Sequence, residues 1–497
     1  MAGLRAVLAL LLIFIFSTVT VADVAACCQV LASRFEAEQV FAHDDPGYTP
    51  QNSRWTLNAQ LSPTCIFKPY SSGDVAYAVK VFTAEDCAFA IKSGGHTPWA
   101  GANNINEGIT VDLSFLNATT LSADRTFVSL GAGGTWGNAY TALNGTGIAF
   151  PGGRVKSVGI GGLTLGGGYS WLTPKVGWVA DNVLNYEIVL GSGEIKNVNQ
   201  SSDGGLFLAL KGGGNNFGIV TRFDIAAVEH DQKIWGGFVS MSTNATVDNL
   251  QAFQDFMEDA GRGLDDTSLV ALEFVLGPND SEGQILNWIT STGPIQQDSA
   301  LWSYDPLFSG AQLLNNTGWT TFADFSNNIP PVSRVTFATT TFQPAYIASV
   351  PVIHQIHQIT QDVYNNFSHI PNFTWDVQYE PLPRVYLDRR AMRGGNVMGL
   401  DYTDKDLVIA FLMPLWEDAQ FDDEVDRAIH TWLDRVHEFI NIHDVGYPFE
   451  YLNYAAPFQE PFASYGSKSL RFLKDVSKRY DPEQVFQRLV PGGFKLN

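Results

Sequence analysis

The chain has 497 residues, 45% of them apolar, with 30 basic against 51 acidic residues and a formal net charge of −21. That length asks for more than one domain or a large domain with a cap. The acidic balance speaks against a nucleic-acid partner and an anionic membrane surface, while 33 Phe, 17 Tyr and 12 Trp suit a ring-lined pocket.

Residues 1–22 read as a secretory signal: Arg5 supplies the positive region, Ala6 to Phe16 is apolar, and Thr20-Val21-Ala22 or Val24-Ala25-Ala26 offers a cleavage site. A membrane anchor is the rival reading. No later stretch is apolar enough to span a bilayer, so no membrane partner is expected once the signal is removed. Cys27, Cys28, Cys65 and Cys87 all fall in the first fifth of the chain. In an oxidising compartment they suggest two disulfides that pin an N-terminal arm to the first domain. Three pairings are open, with the adjacent Cys27 and Cys28 pairing outward. Asn117, Asn144, Asn199, Asn244, Asn279, Asn315, Asn366 and Asn372 each open a glycosylation triplet. Export, N-glycosylation and an extracellular location are therefore expected.

After an arm with a short helix near 27–37, Cys65 to Pro69 reads as a strand. Ser72-Gly73-Asp74 opens a helix with Val75, Val79 and Phe82 on one face. The strand Phe89–Lys92 then runs into Lys92-Ser93-Gly94-Gly95-His96. Paired glycines let a backbone approach a ligand closely, and successive N–H groups can nest a phosphate. The bland alternative is a tight turn with a structural histidine. Residues 108–113 and 128–133 read as strands, and 136–143 as a helix.

A second glycine cluster spans 150–168, and a third spans 212–218. Gly159-Ile-Gly161-Gly162-Leu-Thr164 fails the Gly-x-Gly-x-x-Gly fingerprint, and no Lys-Ser/Thr completes a P-loop. Apolar residues interleave with these glycines, so a ligand lying flat against the backbone is expected rather than a linker. Glycine thins near residue 232. Beyond it, strands are expected at 269–276, 333–342, 374–380 and 407–412, and helices at 247–261, 345–367 and 422–442. That is an α+β pattern with an antiparallel sheet. His354 and His357 have metal-compatible spacing, but with no third ligand evident they read as packing residues. No metal site is expected.

Taken together, Lys92–His96, Gly159–Gly168, Gly177–Val183, Gly214–Thr221, Tyr451-Leu-Asn453-Tyr454, Tyr465-Gly466 and Lys478–Pro482 resemble the flavin oxidoreductases of the vanillyl-alcohol oxidase and p-cresol methylhydroxylase type. Within them the chain resembles the berberine-bridge-enzyme-like branch, and its secreted fungal members most. The resemblance runs in order over roughly residues 60–495.

It implies a two-subdomain FAD-binding domain at 61–231, following an arm at 23–60. A substrate domain would occupy 232–445, and a C-terminal segment at 446–497 would return to the FAD domain. FAD would contact Ser93, Gly94, Gly95, Thr97, Val158, Gly159, Gly161, Gly162, Gly167, Ile219, Val220 and Asn453, with His96 bonded to the flavin 8α carbon. Many relatives add a cysteinyl link where this chain has Val155, so a single link is expected. A small residue at Val158 goes with oxidase behaviour, making O2 the expected acceptor. Hydride would pass from a small-molecule substrate to flavin N5. Tyr454 is the first candidate base, with Tyr386 and Glu380 behind it. The rivals are a dehydrogenase that does not use O2 and a non-catalytic binding protein on the same scaffold.

Overall fold

The computed structural model describes residues 23–496 apart from 231–232, 263–265, 279, 294–311, 327–329 and 401–402, and apart from the side chains of 280–282. The expected signal and the Asn279 triplet lie outside the described residues.

A four-stranded sheet comes first, in the order Val40–Ala42, Cys65–Phe67, Ile109–Asp112, Phe89–Lys92. Its last two pairings are parallel, which requires a crossover, and the helix Ser72–Ala84 supplies it. Ser71, one residue earlier than expected, caps that helix by accepting from the Asp74 N–H. Val75, Val79 and Phe82 are buried as the spacing requires. The N-terminal helix Val24–Arg34 is tied down by Cys27–Cys87 and Cys28–Cys65.

A second, antiparallel sheet runs Thr119–Leu121, Phe127–Gly131, Ile219–Ala226, Val183–Val189, Ile195–Asn199. The third sheet has ten strands and is antiparallel throughout. Its centre is Lys233–Ser242, Asp280–Ser291, Ser268–Gly277, Thr374–Leu382 and Leu407–Trp416. The first two of these are not marked in the sequence. The single strand expected at 333–342 is two short ones, Arg334–Val335 and Ala338–Phe342. The helix expected from 345 starts at Val352, because Tyr346–Ile347 and Val350–Pro351 pair around a turn with positive φ at Ala348 and Ser349.

The period-2 rule gives this sheet two unlike faces. Val270, Leu272, Phe274, Trp375, Val377, Tyr379, Ala410 and Leu412 form one core with the helices Thr246–Gly261, Val352–Phe367 and Asp422–Ile442. The alternate residues face the two smaller sheets. The chain ends there too: the helix Ser467–Tyr480 buries Leu473 and Val476, and the Leu489 carbonyl accepts from the Phe89 N–H at 2.8 Å.

Candidate active site

One cavity of about 610 Å³ lies between the two smaller sheets and the outer face of the large one. That size falls within the ~300–1,000 Å³ range of small-molecule and cofactor sites.

One wall is backbone. Lys92, at the strand end, pairs with Asp112 at 2.9 Å and anchors the loop that follows. The Ser93 hydroxyl donates to the Ala132 carbonyl at 2.6 Å and accepts from the Gly161 N–H at 3.2 Å, stitching the loop to the second glycine cluster. A Cβ on Gly94 would stand 2.3 Å from the Gly159 nitrogen, so glycine is required for the two chains to touch. Gly95 turns the chain with φ +73°. A Cβ at Gly162 would meet nothing within 4 Å, which leaves that backbone open to the cavity.

His96 stands at the rim of this cradle. Its ring stacks on Trp55 at 4.4 Å between centroids, and its Nε2 shares a hydrogen bond of 2.8 Å with the Ser157 hydroxyl. Burial pushes the imidazole down to about 4, so it is neutral at physiological pH. With Nε2 engaged, Nδ1 is the ring nitrogen left for other chemistry.

The opposite wall is made of side chains. Arg154 pairs with the buried Glu380 and donates to the Tyr454 hydroxyl at 2.7 Å. Tyr454 in turn donates to Glu380 Oε1 at 3.0 Å and stacks on Phe411 at 4.0 Å. Desolvation lifts the Tyr454 hydroxyl well above its ordinary value; Arg154 opposes this and Glu380 adds to it. Burial works against the Arg154 charge, but Glu380, Tyr454 and Tyr169 together outweigh it and keep the guanidinium a cation.

The structure therefore brings Ser93, Gly94, Gly95, His96, Thr97, Val158, Gly159, Gly161, Gly162, Ile219, Val220, Asn453 and Tyr454 to one cavity, with Val155 beside them. Asn453 donates to the Leu163 carbonyl at 3.1 Å and to the Tyr451 hydroxyl at 3.0 Å. Glu380 sits directly behind the wall. Two candidates fall elsewhere. Gly167 packs away from the space, where a Cβ would meet Met398 at 2.8 Å. Tyr386 lies on the short helix Arg384–Asp388 rather than on a strand, and its hydroxyl donates to the Ser268 carbonyl at 3.2 Å. His357 is a core residue against Phe274, and among the described residues no group of three His, Cys, Asp or Glu is placed to hold a metal ion.

Sequence reasoning missed Arg154, Trp55, Ser157 and two further acids on the cavity wall, Glu273 and Asp376. A signal for one acid was present: in Trp375–Glu380, polar Asp376, Gln378 and Glu380 alternate with apolar Trp375, Val377 and Tyr379.

Residues 63–199 match the model of the FAD binding domain family. The chain is 33% identical to an FAD-dependent monooxygenase of Cochliobolus heterostrophus, over 89% of this chain and 87% of that one. It belongs with that relative to the FAD-dependent oxidoreductases that carry this FAD binding domain. Among solved structures it resembles the 6-hydroxy-D-nicotine oxidase of Arthrobacter nicotinovorans, with a TM-score of 0.74, 20% identity, and 92% and 97% of the two chains covered. It also resembles the glucooligosaccharide oxidase of Acremonium strictum, whose FAD is described as 6-S-cysteinyl, 8α-N1-histidyl, with a TM-score of 0.72, 19% identity, and 93% and 97% covered. At these identities the likeness is one of fold.

The residues present fit FAD. Asn103, on the cavity wall, has a buried Oδ1 with no partner among the described residues. An unpaired buried acceptor costs about 1–3 kcal/mol, and the hydroxyls and amine of FAD can relieve it. The bare backbone at Gly162 leaves room for the cofactor's flat body. This family member is an FAD-dependent oxidoreductase, and among the described residues no helix is long and apolar enough to cross a membrane.

Proposed function

We propose that this oxidoreductase is an exported oxidase that holds FAD through a single covalent bond to His96 and removes a hydride and a proton from a small organic substrate. In this reading residues 61–231 carry the cofactor, 232–445 face the substrate, and 446–497 return Asn453 and Tyr454 to the cofactor. The observation that carries it is the convergence of His96, the backbone cradle and the Arg154–Tyr454–Glu380 triad on one cavity.

When bound, the flavin supplies the hydride acceptor. The chain's own part is the proton. Tyr454 is held protonated, so it cannot act as a free phenolate. Its hydroxyl already donates to Glu380, so a substrate O–H or N–H proton passes to the Tyr454 oxygen as the tyrosine's own proton passes to Glu380 Oε1. Arg154 holds both acceptors in place through its hydrogen bonds to them. Val155 leaves no thiol for a second link. The small Val158 on the cavity wall supports access for O2, with peroxide as the second product. The two disulfides and the exposed Asn117, Asn144, Asn244, Asn315, Asn366 and Asn372 support export and glycosylation.

Acid precipitation of wild type and His96→Ala tests the link. Yellow colour retained only in the wild-type pellet supports it; colour lost from both, or retained in both, overturns it. The name of the Cochliobolus relative favours a second reading, in which one oxygen atom enters the substrate. Stoichiometric peroxide without 18O in the product supports the oxidase; labelled product supports the alternative.

A further inference from the structure

On the cavity side of the large sheet, Glu273 and Asp376 lie on adjacent strands as diagonal neighbours, since Val275 is the residue opposite Asp376 and Gln378 the one opposite Glu273. Their carboxyls are close enough to interact directly. Glu273 Oε2 also accepts from the Trp288 indole at 2.7 Å and from the Gln378 amide at 3.2 Å. Desolvation raises both acids above the ordinary carboxyl range; for Asp376 the neighbouring Glu273 adds to it and carries the shift further. Two acids this close share one proton rather than both ionise. The mechanism above uses neither of them.

What surrounds them is aromatic. Trp171, Trp288 and Phe238 line the same cavity, with Trp288 at 6.5 Å from Trp171 and 5.5 Å from Phe238 between ring centroids. Trp171 is 1% exposed, and its indole N–H has no partner among the described residues. A ligand is the group still missing from that donor. Among the described residues that line the cavity, Arg154 is the one Arg or Lys; it lies over Trp171 at 5.4 Å and is already paired with Glu380. With one shared proton on the acid pair, the wall keeps one negative charge, which Arg154 attracts but which no described residue meets in an ion pair.

We infer that Glu273 and Asp376 form a recognition site for a basic nitrogen, so that the substrate is an aromatic or apolar molecule carrying an amine. A protonated amine replaces the shared proton between the two carboxylates, and the ring faces around it add cation–π attraction. An acceptor on the same molecule satisfies Trp171. The inference rests on the proposed reading of this cavity as the substrate site, but its test reads equilibrium binding and not turnover.

Benzylamine and benzyl alcohol serve as matched probes that share a ring and differ in charge. Calorimetric titration of the anaerobic holoenzyme should show benzylamine binding at least about tenfold tighter, with proton release seen as a dependence of the apparent enthalpy on buffer ionisation. In Glu273→Gln/Asp376→Asn the preference and the proton release should both vanish. Asp376→Asn alone leaves Glu273 with its Trp288 and Gln378 donors, and should reduce the preference if the double variant does not fold. Equal affinity for the two probes in wild type, no binding of benzylamine at millimolar concentration, or a preference that survives the folded variants overturns the inference. A wild type that keeps acid-stable flavin but binds both probes alike would sink the amine site alone. Flavin lost to acid would sink the covalent link instead.

Discussion

The two walls of the cavity are built by opposite means. The cradle of Ser93–Thr97 and Val158–Gly162 is made by leaving side chains out, so that backbone touches backbone. The facing sheet is made by putting side chains in: Glu273, Asp376, Gln378 and Phe411 project from alternate positions of paired strands. Where its two loops touch, at Gly94 and Gly159, the first wall tolerates no added atom, because the neighbour is main chain that cannot rotate away. The second has a fixed backbone and exchangeable side chains. In the function proposed above, the cofactor lies against the first wall and the substrate against the second.

The sharpest way to break this contrast is Gly94→Ala. One methyl group would meet the Gly159 backbone at 2.3 Å, so flavin incorporation should fall to near zero, read as the ratio of flavin to protein absorbance. Normal incorporation would show that the cradle can yield. On the other wall, Tyr454→Phe deletes one oxygen from a site that still packs on Phe411. Flavin content should stay at the wild-type level while turnover falls about 10²–10⁴-fold, as for loss of a general base.

Arg154→Met sharpens the comparison through stability. It strips the partner from Glu380, whose side chain is fully buried, and breaking such a pair costs about 3–5 kcal/mol. Denaturant unfolding should register that loss, and Arg154→Met/Glu380→Gln should recover part of it. The smallest effect expected is a pH dependence. Burial holds His357 at about 4, against an ordinary value near 6.5. The unfolded chain therefore binds a proton there before the folded one does. Stability is full above about pH 6.5 and is lost as pH falls toward 4, by up to ~3 kcal/mol from this residue. His357→Leu should flatten that stretch of the stability–pH curve. An unchanged slope would contradict the burial argument.

The same contrast explains what was legible in the sequence. Glycine clusters advertise a cradle because few other roles need so many glycines among apolar residues, and His96 and Gly159–Gly162 stood out for that reason. The disulfide pairing was not legible, since four cysteines in one region allow three solutions and only the packing of Val24–Arg34 selects one. Lys233–Ser242 escaped because Gly236 and Gly237 interrupt its strand pattern. In the fold, a Cβ on Gly236 would press on the Ile289 carbonyl at 2.6 Å. Tyr386 misled because a buried tyrosine near the end of a strand reads the same whether it faces a cavity or a core. Arg154 and Glu380 lie 226 residues apart in sequence, and only the return of the large sheet against the cradle makes them a pair.

The central claim is that His96, alone, carries the cofactor. Proteolysis of the denatured holoenzyme followed by mass spectrometry tests it most directly. The account predicts one flavin-bearing peptide, containing His96 and modified on its imidazole, and an unmodified peptide over Gly153–Ser157. Flavin on any other residue, or on none, would contradict it.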